Sequence, residues 1–136
     1  KETTMRTKTK TTKAILGAAL AALLATPAVA QDWMSVAPKG KKVLLDNASV
    51  RVIEMTVGPG QKEPIHTHPA NLAYLLTAGK VRVSYVGGDT AEMDGKKGEV
   101  IWSDPEGPHT LENLSKTPIR ALVVELKEHP YVAAKR

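Results

Sequence analysis

The chain has 136 residues, a formal net charge of +5 and no cysteine. Disulfides, thiolate nucleophiles and Cys-type metal sites are therefore excluded, and stability must come from packing alone. The charge is uneven: five of the 19 Lys/Arg but one of the 14 Asp/Glu precede Gln31, so residues 31–136 carry 14 bases against 13 acids. That near balance offers no basic surface for nucleic acid or an anionic membrane.

In chain order, the first predicted element is a targeting segment. Lys1 to Thr4 precede Met5, which reads as the initiator. A basic, acid-free stretch runs to Lys13, an apolar stretch covers Ala14 to Ala25, Thr26-Pro27 breaks it, and Ala28-Val29-Ala30 supplies small residues for a peptidase. This is the layout of a secretory signal peptide over residues 5–30, cleaved after Ala30, which implies a periplasmic or secreted product. The rival reading, a membrane anchor, needs about 20 apolar residues to span a bilayer. Residues 31–136 then suit one compact domain with no further contact with a membrane.

Short strands separated by turn clusters follow. The expected strands are 42–45, 50–57, 65–68, 72–77, 81–86, 90–93, 99–103, 109–114 and 119–126. Gly/Pro/Asn/Asp groups punctuate nearly every boundary, and no helical stripe of useful length appears. The prediction is all-β, a sandwich or barrel. Segments 31–41 and 128–136 would cover a barrel edge or pair with another subunit. Gly60, Gly79, Gly87, Gly88, Gly95, Gly98 and Gly107 read as turn residues that permit positive φ. None opens a helix, so a nucleotide site is not supported. No serine sits in a recognisable nucleophile motif.

The chemistry concentrates in Gly60-Gln-Lys-Glu-Pro-Ile-His66-Thr-His68-Pro69. On a strand, residues two apart share a face, so His66 and His68 would project together. His109, in a second Pro/Gly-rich segment, can meet them if the sheet curls, and three neutral imidazoles form a metal site. The bland alternative is a satisfied polar pair on a solvated strand. Glu63, between Lys62 and Pro64, reads as a surface charge. Trp102 and Met93 read as core filling in a chain without phenylalanine, and His129 as a solvated tail residue.

These segments resemble the cupins, whose first motif is G-x5-H-x-H-x3,4-E-x6-G and whose second is G-x5-P-x-G-x2-H-x3-N. Gly60, His66, His68 and Gly79 match the first; Gly98, His109 and Asn113 match the second, with Pro105 and Gly107 each displaced by one residue. The resemblance spans most of residues 42–126 and implies a double-stranded β-helix, a jelly-roll barrel, for a single domain over 31–136. The motif glutamate falls on Leu72, or on Ala73 with one residue of slippage, and neither can bind a cation. The family's ligand set thus reduces to His66, His68 and His109, which some oxygenase cupins share. Another possibility is a cupin that has lost its metal.

Three neutral imidazoles leave both charges on a divalent ion, making it a stronger Lewis acid that attracts anions. Zinc, iron, manganese, nickel and copper all accept imidazole. The motif register turns Leu72, Tyr74 and Leu76 inward, making Tyr74 a candidate catalytic proton donor or, equally, core packing. Asn113 would either orient His109 or play a plain structural role. Two functions follow: an exported metal-dependent, dioxygenase-like cupin acting on a small organic substrate, similar to quercetin-dioxygenase-like and beta-alanine-degradation-protein-like cupins, or a non-catalytic module that binds a small ligand or metal. The resemblance also implies a homodimer formed through outer sheets.

Overall fold

Nine antiparallel strands and one helical turn make up the computed structural model, which describes residues 31–37 and 39–134. The expected signal peptide lies outside the described residues. The turn α1 (Trp33–Val36) is capped by Asp32, whose side chain accepts from the Ser35 N–H. The strands are β1 (Lys41–Asp46), β2 (Val50–Val57), β3 (His66–His68), β4 (Asn71–Leu75), β5 (Gly79–Tyr85), β6 (Thr90–Gly95), β7 (Val100–Ser103), β8 (Glu106–Asn113) and β9 (Ile119–Leu126).

They form two sheets, β1-β2-β9-β4-β7 and β3-β8-β5-β6. The β2 and β9 boundaries are those expected, because both runs are long and alternate cleanly. From these two strands Ile53, Met55 and Val57 meet Ala121 and Val123 in the core, while Trp33 enters from α1. That one-turn helix was not expected.

The outward face of the five-stranded sheet corrects the sequence reading of β4. Leu72 pairs with Val124 on one side and Trp102 on the other, and Tyr74 with Leu122 and Val100. Directly opposed residues share a face. Tyr74 is 41% exposed and Trp102 55%, so both lie outside, whereas Asn71 and Leu75 are buried. Trp102 is therefore not core; its indole N–H donates to Asp104 Oδ1 at 3.1 Å. Met93 is 42% exposed and is not a buried core residue either, although its side chain lines the interior.

Glycine serves two purposes. Gly60, Gly87, Gly88 and Gly98 take positive φ, as expected of turns, but Gly79, Gly95 and Gly107 do not. At Gly79 the requirement is room: a Cβ there would lie 2.4 Å from Ile119 Cγ1 and 2.6 Å from its Cδ1. Gly79→Ala should thus lower unfolding free energy by about 1–3 kcal/mol through overpacking. Urea midpoints at constant m-value check this; an unchanged midpoint would show that Ile119 has space to yield.

Candidate metal centre

β3 is short because prolines bracket it: Pro64 lies two residues before it and Pro69 follows it. Strand alternation aims His66 and His68 inward, while Thr67 turns to the N-terminal segment and donates its N–H to Gln31 O at 2.9 Å. β3 pairs with β8, placing His66 opposite His109 and His68 opposite Glu106, with a register shift between the two histidines. The ring centroids lie 4.5 Å (His66–His109), 4.9 Å (His66–His68) and 5.5 Å (His68–His109) apart. All three rings are buried, and one ligand atom from each lies within 4.8 Å of the others.

Each imidazole is held through Nδ1. His66 Nδ1 is 2.7 Å from Pro64 O and His109 Nδ1 is 2.8 Å from Gly107 O, the same contact to the residue two before. His68 Nδ1 is 2.9 Å from Glu125 Oε1. Carbonyl and carboxylate oxygens only accept, so each Nδ1 donates and the neutral ring keeps its lone pair on Nε2. His66 Nε2 is buried with no hydrogen-bond partner. A buried unpaired nitrogen costs about 1–3 kcal/mol, and a metal ligand is the natural reason to keep one. Burial pushes the His66 pKa down to about 3, with the neighbouring imidazoles and Lys41 adding to the shift, and burial also lowers that of His109. The donor set fits a divalent transition ion bound by nitrogen.

Around the rings lie acids that sequence reasoning missed. Glu63, expected at the surface, has a side chain only 2% exposed; it accepts from Trp33 Nε1 at 2.8 Å and Lys41 Nζ at 2.5 Å. The Trp33 indole packs on His66 and edge-on to His68, with centroids 6.0 and 4.7 Å away. Glu125, 1% exposed, also receives Arg51 Nε at 2.7 Å, and Arg51 in turn pairs with Asp32. The parity of β9 carried a signal for Glu125, since it continues the inward series Ile119, Ala121, Val123. Glu106 lines the interior beside His68 and His109 and is loosely tethered by Tyr85 Oη at 3.3 Å and Asn71 Nδ2 at 3.5 Å.

The structure brings His66, His68 and His109 together and leaves Tyr74 outside. On β4 the residues lining the interior are Asn71, Ala73 and Leu75. Ala73, not Leu72, therefore holds the inward position to which the motif glutamate slips, and no carboxylate comes from this strand. Asn113 is fully buried and structural: its amide donates to Val57 O and Thr117 O, and its oxygen accepts from Ser115 N. His129 is exposed, as expected.

In the metal-free protein the low His66 pKa has a defined effect on stability. The folded chain leaves His66 neutral down to about pH 3, whereas the unfolded chain protonates it near 6.5. Between these values the unfolded state binds more protons, so stability falls as pH drops through that window. Between pH 7 and 4.5 the wild type should lose more stability than a His66→Gln variant; equal losses in urea titrations would refute the assignment.

The Cupin domain family matches residues 53–125. No curated protein matches. Among solved structures, a cupin domain from Bordetella pertussis Tohama I is similar at 23% identity and TM-score 0.59, over 64% of this chain and 91% of that one. An RmlC-like cupin family protein with a double-stranded β-helix fold from Methanocaldococcus jannaschii is 13% identical with TM-score 0.53, over 63% and 77%. A conserved protein with a double-stranded β-helix domain from Klebsiella pneumoniae is 20% identical with TM-score 0.52, over 71% and 84%. These likenesses show the fold, and the family match covers more than half of the sequence. With two glycine-flanked histidine segments converging inside a double-stranded β-helix, this chain belongs to the cupin family.

Proposed function

We propose that this is an exported cupin that binds a divalent metal through His66, His68 and His109 and holds a small organic substrate against it, with oxygenase-type chemistry as the reaction class. The observation that carries the metal reading is the unpartnered, buried His66 Nε2 beside two more imidazoles whose Nδ1 atoms are already committed. Once bound, such an ion supplies Lewis acidity and open positions for an oxygen ligand. The chain's own residues do the rest. Pro64 O, Gly107 O and Glu125 fix the rings, Trp33 covers His66 and His68, and the apolar wall behind Ala73 and Leu75 excludes water.

Elemental analysis of protein purified without chelators tests the metal reading. The wild type should carry a single divalent ion per chain, and His66→Ala and His109→Ala should each abolish it. A metal-free wild type that takes up no added zinc, iron, manganese, nickel or copper would sink it. Oxygen consumption with small acids and diketones then tests turnover.

A second reading, a non-catalytic binding module, draws on one specific observation: Tyr74, the proton donor picked from sequence, lies on the outer face. Export rests on the composition of residues 5–30. The homodimer draws support from the outer face of the five-stranded sheet, where Leu45, Val52, Val124, Leu72 and Trp102 follow one another across all five strands. An apolar row of this kind is self-complementary across a two-fold axis. Trp102→Glu should convert a dimer to monomer in sedimentation velocity; a wild type that sediments as a monomer at high micromolar concentration would refute the pairing.

A further inference from the structure

The interior grades from polar to apolar along the barrel axis, row by row. On one sheet Arg51, Glu125, Asn71 and Ser103 stand opposite one another; the next inward row is Ile53, Val123, Ala73 and Ile101, and the next is Met55, Ala121 and Leu75. On the other sheet His66, His109 and Tyr85 share a row, followed by Leu111 and Val83, then Val81 and Met93 beside Asn113, whose amide is already spent on Val57 O and Thr117 O. A cavity of about 130 Å³ runs across these rows, from His68, His109 and Glu106 to Val81 and Met93. A second cavity of about 280 Å³ lies beyond, reaching Gly79, Gly95 and Glu99. The two share Leu75, Val81, Met93, Ile101 and Ile119, which form the partition between them.

Size and charge restrict what the first cavity accepts. A dry apolar cavity of about 150 Å³ holds a benzene, so this space takes about six non-hydrogen atoms. Glu63 is neutralised by Lys41 and Glu125 by Arg51. Among the described residues, Glu106 is the acid on the cavity wall without a basic partner within ion-pair distance. A divalent ion on the histidines plus Glu106 would leave one positive charge, which a monoanion balances. A second charge on the ligand would be driven into the apolar rows, where it has no partner and desolvation is costly.

We infer that the ligand of this site is a short monoanion, a monocarboxylate with an apolar body of about three carbons beyond the carboxylate, and that Met93 sets its maximum length. This rests on the metal reading above. The ligand oxygens face the histidine row, the carbon chain lies along Ala73, Val83 and Leu111, and Met93 closes the far end. Met93 suits that task because its unbranched thioether fills space adaptably. Its partial exposure means that truncating it removes little core.

The test uses the full chain loaded with cobalt(II), whose visible absorption reports ligands entering its coordination sphere, titrated with straight-chain monocarboxylates of two to ten carbons. Affinity should tighten about fourfold per added methylene until the chamber is full and then weaken. Matched dicarboxylates should bind at least tenfold more weakly. Met93→Ala should move the optimum to longer chains by opening the partition, and Ala73→Val should move it to shorter ones. If cobalt does not bind, the metal reading fails and takes this inference with it. If cobalt binds but affinity is flat in chain length, or dicarboxylates bind as tightly, the ligand class alone is wrong. An optimum unmoved in Met93→Ala, with the variant folded by circular dichroism, overturns the role of Met93.

Discussion

The centre depends on where three protons sit. Pro64 O, Gly107 O and Glu125 each take the Nδ1 hydrogen of one imidazole, and this fixes both ring orientation and tautomer. Without those acceptors the rings could flip, and a nitrogen aimed inward could carry a proton instead of a lone pair. Two of the acceptors are main-chain atoms two residues before the histidine they hold. Their position follows from the local path of Pro64-Ile-His66 and Gly107-Pro-His109, so the strand entry itself builds the ligand geometry. Burial keeps His66 and His109 neutral, and the resulting stranded nitrogen on His66 is a cost the fold accepts at its site of function.

The third acceptor ties the centre to the start of the domain. Asp32, Arg51, Glu125 and His68 form one continuous chain of contacts from a half-exposed carboxylate to a buried imidazole. Beside it, Lys41, Glu63 and Trp33 form another that ends against the same rings. Each buried acid is matched by a cation. Removing Lys41 would strand the Glu63 charge in a dry setting and cost about 3–5 kcal/mol. Residues 31–37 are thus bound to the barrel at Gln31, Asp32 and Trp33, and they cover the histidines instead of trailing from them.

Much of the barrel was legible because β-branched residues alternate over runs such as 50–57 and 119–126, with turn residues at their ends. The histidine trio was legible because its spacing is set by strand parity and flanking glycines. Parity itself failed on β4. There the motif count back from Gly79 turns Leu72 and Tyr74 inward, whereas the pairing turns Asn71, Ala73 and Leu75 in, and a one-residue slip turns every side chain over. Trp102 was assigned to the core because the chain lacks phenylalanine, yet it stands in the outward apolar row. Glu63 was missed because its neighbours in sequence are Lys62 and Pro64, whereas its partners are 22 and 30 residues away. The start of β8 at Glu106 was hidden by Pro105, Gly107 and Pro108, which look like a loop, yet Glu106 pairs with His68 of β3. Glu106, facing the site, was lost with it.

The two tryptophans of the sequence occupy opposite extremes: Trp33 is sealed against two imidazoles, while Trp102 stands in solvent. In the monomer their fluorescence should therefore separate by wavelength, with the blue component arising beside the histidines. An open-shell ion seated there would quench the blue light and spare the red. The molecule carries its own optical gauge of occupancy, and no label need be attached to read it.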